Sequence, residues 1–123
     1  IEKHSIGRFA CHRLINRSTG AYLEILNGFG AGINNWVVKN TENNYFSLID
    51  GYRTEEEILN QHHSSYKGSK LSPFSNRIPK GKYSYNEVDY QFSLNEEDIN
   101  SLHGFIKELS VFSFINSFSV CSN

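Results

Sequence analysis

Short runs of strand-forming residues, each ended by a turn signal, follow one another along much of this chain. The first half contains three such runs, at residues 21–26, 33–39 and 45–49. The first run is closed by Asn27-Gly28 and the third by Asp50-Gly51, dipeptides that are typical of turns. This spacing predicts short strands joined by tight connections.

The second half repeats the pattern in a clearer form. Residues 83–85 and 88–94 alternate tyrosine, valine, phenylalanine or leucine with polar residues, as in a half-exposed strand. Asn86-Glu87 lies between them and predicts a hairpin turn, because asparagine tolerates a left-handed backbone. Before them, residues 71–78 form a further segment, which ends at the turn Pro79-Lys80-Gly81.

One window carries the signals of a helix. Thr54 is a suitable N-cap, and Glu57 three residues later completes a capping box. Glu55 and Glu56 add negative charge to the first turn, where the helix dipole favours it. We expect a short helix that does not continue beyond His63.

Many strands with one short helix predict an all-β fold, an antiparallel β-sandwich. No element is assigned to the first fifteen residues, whose composition is mixed. Residues 110–123 consist almost entirely of Ser, Phe, Val, Ile and Asn, and partial alternation makes a strand one interpretation of them. We therefore divide the chain into residues 1–109 and an atypical Ser/Phe-rich tail, 110–123.

Charge and composition exclude several classes of function. A net charge of −1 without a basic face argues against nucleic acid as a partner. No apolar stretch approaches the roughly eighteen residues that a membrane span requires. The chain begins at Ile1 without a signal segment, so a cytoplasmic location is expected, with secretion left open. The sequence indicates no oligomeric state.

Candidate metal and phosphate sites are weak. Cys11 and Cys121 could form a disulfide but show no metal-binding spacing, and neighbouring histidines such as His62-His63 rarely face one ion. The glycines of residues 28–32 match neither a dinucleotide fingerprint nor a P-loop, so a turn between strands explains them better. No metal and no cofactor is expected.

Three polar residues carry the most informative chemistry. Asn76 and Arg77 follow the proline-stiffened segment, and His103 stands beside a glycine. An arginine offers five donors in a rigid fork, an asparagine offers donors and an acceptor, and together they suit neighbouring sugar hydroxyls. A histidine can exchange a proton near neutral pH. The alternative is structural: Arg77 would pair with a carboxylate and His103 with a loop carbonyl.

These residues belong to a longer pattern that resembles the aldose 1-epimerase, or galactose mutarotase, family. The pattern reads Gly68-x-x-Leu71-x-Pro73-Phe74-x-Asn76-Arg77-Ile78-x-x-Gly81-x-Tyr83, followed by Leu102-His103-Gly104. Asp50-Gly51-Tyr52 and the strand entry at residues 30–33 are also similar to that family. The resemblance covers most of residues 20–106.

The resemblance implies a galactose-mutarotase-type sandwich that interconverts the α and β anomers of a free hexose, such as glucose or galactose, without a cofactor. In the family a glutamate acts as general base and a histidine as general acid in opening the ring. By the same resemblance, Asn76 and Arg77 bind sugar hydroxyls. His103 would lie in the pocket, where it would bind the sugar and have an auxiliary catalytic role.

The chain departs from the family in its length, because members are roughly two to three times longer. The general-acid histidine, a sugar-binding aspartate and the general-base glutamate of the family would follow the last residue here. Glu96 and Glu97 match no catalytic motif. We therefore expect an amino-terminal fragment that is inactive alone, in which the family pattern fades after Ile106. One alternative is a non-catalytic carbohydrate-binding module that uses Trp36 and the tyrosines as stacking platforms. Another is a close relative that acts on sugar phosphates, which would need an additional basic cluster that the sequence does not show.

Overall fold

A computed structural model describes residues 1–106 of the chain. The predicted tail, residues 110–123, lies outside the described residues. The largest element is an antiparallel sheet of five strands, in which each strand pairs with the next along the chain. The strands are β1 (Glu2–Ile6), β2 (Phe9–Ile15), β3 (Tyr22–Leu26), β4 (Gly32–Lys39) and β5 (Tyr45–Ser47).

The three strands predicted in the first half are confirmed as β3, β4 and β5, although β5 ends at Ser47, two residues before the predicted limit. Strands β1 and β2 were not predicted. Their sequence includes charged and imidazole side chains that hide the strand pattern, and the packing of Glu24 explains why those side chains are there.

Glu24, on β3, lies at the centre of a polar ladder across the sheet, and its side chain is almost completely buried. Asn34 and Asn35 of β4 each donate a hydrogen bond of 2.7 Å to its Oε1 atom. Arg13 of β2 donates to Oε2 over 2.8 Å, and Nε2 of His4 on β1 lies 3.0 Å from the same oxygen. Three strands thus supply partners to one buried carboxylate on a fourth. Although burial raises the pKa of Glu24, the hydrogen bonds from Asn34, Asn35 and Arg13 outweigh it and leave the pKa below its usual value.

The helix α1 (Glu55–Ser65) follows the sheet. Thr54 is its N-cap, and the threonine hydroxyl accepts a 3.1 Å hydrogen bond from the Glu57 amide. In a standard capping box the Glu57 side chain would accept from the Thr54 amide. Here it accepts from the amide of Arg53, one residue before the cap. The expectation that the helix would not pass His63 is wrong by two residues. The helix closes at Tyr66, whose backbone is left-handed and donates to the carbonyl of His62.

The core lies between α1 and one face of the sheet. Its buried members come from β2, β3, the segment before the helix, and the helix itself: Phe9, Cys11, Leu26, Tyr52 and Ile58. Ile58 has no exposed surface, so it is the side chain that fixes α1 on the sheet.

Two small antiparallel pairs complete the described part of the chain. Strand β6 (Arg77–Pro79) pairs with β9 (Asn100–Leu102), and β7 (Lys82–Tyr85) pairs with β8 (Val88–Gln91). The hairpin turn between β7 and β8 is confirmed, since Asn86 and Glu87 both have positive φ values. Of the predicted segment 71–78, only the end belongs to a strand, β6. Strand β9 was not predicted.

A close backbone contact connects the large sheet to the segment that leads to β6. The amide of Ile33, on β4, donates to the carbonyl of Gly68 over 3.0 Å. Gly68 has a φ of 59°, and a side chain there would collide with the Ile33 carbonyl. The residues described are therefore antiparallel strands with one short helix, so the predicted all-β, sandwich-like class is confirmed.

Candidate functional site

The pairing of β6 with β9 places Asn76 next to His103. Arg77 pairs with Leu102, so the residues just outside the two strands face each other. The Asn76 amide donates a 2.9 Å hydrogen bond to Nδ1 of His103, and the His103 amide donates to the Asn76 carbonyl over 3.0 Å. Two residues that are 27 positions apart in sequence are thereby fixed to each other.

This arrangement depends on the backbone at both positions. Asn76 has a φ of 66° and His103 a φ of 61°, so both are left-handed. Asparagine and histidine are enriched in that region relative to other residues with a side chain. The side-chain oxygen of Asn76 accepts from the Arg77 amide over 2.9 Å, which stabilises the bend. The side-chain NH₂ group is then the donor that Asn76 could offer to a ligand.

The hydrogen bond also determines the tautomer of the His103 ring. Since Nδ1 accepts from a backbone amide, that atom carries no proton, and the neutral ring holds its proton on Nε2. The imidazole thus has a defined orientation and a defined donor atom.

The guanidinium of Arg77 is held by a carboxylate. Its Nε atom donates to both oxygens of Glu96 at 2.8 Å, and Nη2 donates to Oε1 at 2.5 Å. The side chain of Asn100 donates a further hydrogen bond to Oε2 of the carboxylate over 2.9 Å. The hydrogen bonds from Arg77 and Asn100 lower the pKa of Glu96, and Glu96 raises the pKa of Arg77. The carboxylate pairing considered as the structural alternative for Arg77 is therefore present.

Exposure shows how this ion pair is oriented. The Arg77 side chain is 54 % exposed, whereas that of Glu96 is 20 % exposed. The carboxylate is therefore the more covered partner, and the guanidinium is the group more open to solvent. The same arginine can be both paired and accessible to a ligand.

Tyr66 is a neighbour of the site that the sequence analysis missed. Its ring meets the His103 imidazole edge to face, with centroids 4.8 Å apart. Tyr66 reaches this position because it is the left-handed cap at the end of α1. The available signal was the end of the helix, but no sequence rule specifies what a C-cap side chain contacts.

The loop that carries Glu96 is tied to β9 by its neighbour Asn95. The Asn95 side chain accepts from the Leu102 amide over 2.6 Å and donates to the Leu102 carbonyl over 3.0 Å. These two bonds hold the loop beside the end of β9, where His103 follows. Arg77, Glu96 and His103 are consequently positioned by one small group of hydrogen bonds.

Within residues 1–106, two of the concavities are lined without Asn76, Arg77 or His103. One, of about 500 Å³, lies on the hairpin β7–β8, beside residues such as Lys82 and Asp89. The other, of about 350 Å³, is an apolar groove lined by Pro73, Phe74, Ile78, Tyr83 and Phe92. Asn76 and Arg77 are exposed and His103 is half-buried, at paired ends of β6 and β9.

Other features of residues 1–106 bear on the function classes considered above. No group of three or more His, Cys, Asp or Glu side chains in this part is placed to hold a metal ion. The single helix found there is too short to cross a membrane. His62 and His63 lie in the last turn of α1, where Nδ1 of His62 is 2.7 Å from the carbonyl of Ile58.

Comparison with known families agrees with the motif pattern. The sequence profile described as aldose 1-epimerase matches residues 14–120, most of the 123-residue chain. The match begins earlier and extends further than the resemblance noted above, and it includes Asn76, Arg77 and His103. The chain belongs to the aldose 1-epimerase family.

Proposed function

We propose that this chain provides the sugar-binding part of a mutarotase that interconverts the α and β anomers of a free hexose such as glucose or galactose. Membership of the family supports an epimerase acting on a sugar. The observation that carries the assignment to particular residues is the reciprocal Asn76–His103 hydrogen-bond pair, with Arg77 beside it.

The roles follow from the donors that each residue presents. Arg77 has an accessible guanidinium, and Asn76 has a side-chain amide at the same strand end. Both can donate to sugar hydroxyl oxygens, and hydrogen bonds from a charged group are the stronger kind. His103, with its proton on Nε2, positions the sugar and assists proton movement.

The reaction requires two proton transfers. A general base removes the proton from the anomeric hydroxyl while a general acid protonates the ring oxygen, and the C1–O5 bond breaks. Rotation about C1–C2 and the reverse transfers then close the ring on either face. The family resemblance assigns these roles to a further histidine and glutamate. Asn76, Arg77 and His103 would therefore bind and position the sugar. General acid and base groups each contribute about 10²–10⁴-fold, so the 123-residue chain alone is expected to give no acceleration.

Two measurements test the proposal. Titration of the ¹⁵N-labelled chain with glucose or galactose should shift the amide signals of Asn76, Arg77 and His103. In the full-length gene product, polarimetry of fresh α-glucose should show accelerated mutarotation, and Arg77→Ala should abolish most of it. Arg17→Ala, which removes an exposed arginine between β2 and β3, is the matched control. Wild-type mutarotation in the Arg77→Ala variant would contradict the assignment.

A non-catalytic carbohydrate-binding module is the second candidate. The hairpin β7–β8 favours it, because Tyr83 and Tyr90 are exposed and stack with centroids 5.0 Å apart. Trp36 is a second exposed aromatic side chain, 50 % accessible, on β4. Saturable sugar binding by the full-length protein without any anomer exchange would support this function over the first.

A further inference from the structure

We propose that Glu96 is a positioning residue that orients Arg77 for neutral sugars; this inference rests on the proposed function. The guanidinium has five N–H donors in one plane. Glu96 occupies the edge formed by Nε and Nη2. The donors on the other edge, on Nη1 and Nη2, therefore point away from the carboxylate in a fixed direction, towards any ligand that the surface receives.

The carboxylate can orient the arginine because it is itself held. Asn100 donates to Oε2 of Glu96 through its side chain. The backbones of the two residues also exchange hydrogen bonds, from the Glu96 amide to the Asn100 carbonyl and from the Asn100 amide to the Glu96 carbonyl, each 3.2 Å long. Asn100 belongs to β9, so the carboxylate is attached to the strand that pairs with the strand of Arg77.

Pre-organisation is the first consequence of this arrangement. An arginine side chain that moves freely loses rotamer freedom when a ligand binds, and that loss opposes binding. A guanidinium already fixed by a two-point contact has lost much of that freedom before the sugar arrives. Removal of the Glu96 charge should therefore weaken sugar binding without removing any group that contacts the sugar.

Charge selectivity is the second consequence. The carboxylate neutralises the guanidinium locally, so the site offers hydrogen-bond donors with little net positive charge. Neutral hydroxyls suit such a site, whereas a phosphorylated sugar brings an anion close to Glu96. The Arg77–Glu96 ion pair should therefore favour the binding of free hexoses over hexose phosphates. Glu96→Gln should shift this binding preference towards the phosphate.

The experiment compares Glu96→Gln with Glu97→Gln in the 123-residue chain. Glu97 is the next residue and is exposed. Its charge also acts on Arg77, but the hydrogen bonds of the guanidinium within residues 1–106 go to Glu96, so Glu97→Gln controls for the loss of a nearby charge without the loss of the contact. Glucose and glucose 6-phosphate are titrated into each ¹⁵N-labelled chain. We expect Glu96→Gln to weaken glucose binding about tenfold and to raise the relative affinity for the phosphate, with less than about a twofold change for Glu97→Gln. Equal effects of the two substitutions would overturn the proposal.

A variant pair separates positioning from direct contact. In an Arg77→Ala background, Glu96→Gln should produce no further loss of glucose affinity, because its effect passes through the arginine. A further loss equal to that in the wild-type background would show that Glu96 acts independently of Arg77, which would overturn the positioning role.

A measurement on the sugar-free chain tests the positioning role of Glu96 separately from the proposed function. The Nε–H proton of Arg77 should exchange slowly in the wild-type chain and quickly in Glu96→Gln, with Glu97→Gln unchanged. An unaltered Arg77 signal in Glu96→Gln would overturn the positioning role whatever the sugar titration shows. If instead the Arg77 signal responds but the wild-type chain binds no hexose, the proposed function fails, and the role of Glu96 in a sugar site fails with it.

Discussion

The Asn76 amide donates to the imidazole of His103, and the His103 amide donates back to the Asn76 carbonyl. This reciprocal pair closes the ends of β6 and β9 and holds two left-handed residues against each other. The imidazole of His103, which is proposed to bind a sugar, thus also holds the backbone of Asn76. Substitutions at position 103 should therefore be measured for both stability and binding.

Two substitutions of His103 should have different effects on stability. Asparagine places an acceptor near the position of Nδ1 and tolerates a left-handed backbone, so His103→Asn should remain close to wild type. His103→Ala removes the acceptor and should lower the free energy of unfolding by about 1 kcal/mol. Urea denaturation of the three chains measures the difference. If the asparagine variant loses as much free energy of unfolding as the alanine variant, the hydrogen bond between positions 76 and 103 does not account for the stability that His103 provides.

Removal of the buried carboxylate on β3 should be among the most damaging single changes. Glu24→Gln replaces an acceptor-only group with one that also donates, among donors from Asn34, Asn35 and Arg13. Breaking a buried charged network of this kind typically costs about 3–5 kcal/mol. Glu42→Gln, in the exposed turn before β5, is the control for the charge change. Similar urea midpoints for the two variants would contradict the role given to the ladder.

The same carboxylate predicts loss of stability in acid. The folded-state pKa of Glu24 lies below its ordinary value, so the carboxylate stabilises the fold fully above that ordinary value. The stabilisation is lost as the pH falls through the lowered pKa, because the folded chain must then take up a proton. Denaturation curves from neutral pH to about pH 3 should show wild type losing its advantage over Glu24→Gln. A constant difference across that range would argue against an ionised Glu24.

Adjacent residues of α1 provide a test of how the helix is attached. Ile58 is fully buried in the core, whereas Leu59 is 40 % exposed. Ile58→Ala should cost about 2–5 kcal/mol through lost burial and a cavity. Leu59→Ala should cost much less, and it serves as the control for helix propensity. Thermal unfolding followed by circular dichroism separates the two, and equal losses would show that α1 is not held by Ile58.

The thiol of Cys11 should be unreactive in the folded chain. Burial, aided by the nearby charge of Glu24, raises its pKa to about 11. Little thiolate is then present near neutral pH, and the thiol is also inaccessible. In a Cys121→Ser background, which leaves one thiol, labelling by a disulfide reagent should be roughly a hundredfold slower than in urea. Rapid labelling without denaturant would show that β2 opens easily.

The sequence predicted those elements in which local pattern and packing agree. Strands β3 and β4 and the hairpin β7–β8 have strand-forming residues closed by turns, and the cap at Thr54 correctly located the start of α1. Strands β1 and β2 were missed because His4 and Arg13 lie there as partners of a carboxylate on another strand. No local rule predicts a polar ladder whose members come from four strands.

In the candidate site too, some residues were recognisable in the sequence and others follow only from strand pairing. Asn76, Arg77 and His103 stand out by their chemistry and by a family pattern, and the structure brings Asn76 and His103 into contact. Glu96 matches no motif, yet it binds an arginine 19 residues earlier in the chain. That pairing follows from the register of β6 with β9, two three-residue strands too short to be recognised in the sequence.

Because the C-cap Tyr66 contacts the imidazole of His103, the length of α1 determines whether that contact forms. Each residue added to a helix rotates the helix end by about 100° and advances it by about 1.5 Å. An insertion or deletion within α1 would therefore swing the tyrosine ring away from His103, even if every residue of the site were kept. Length variation in this family should accordingly be tolerated in the exposed turn before β5 and avoided between Thr54 and Tyr66.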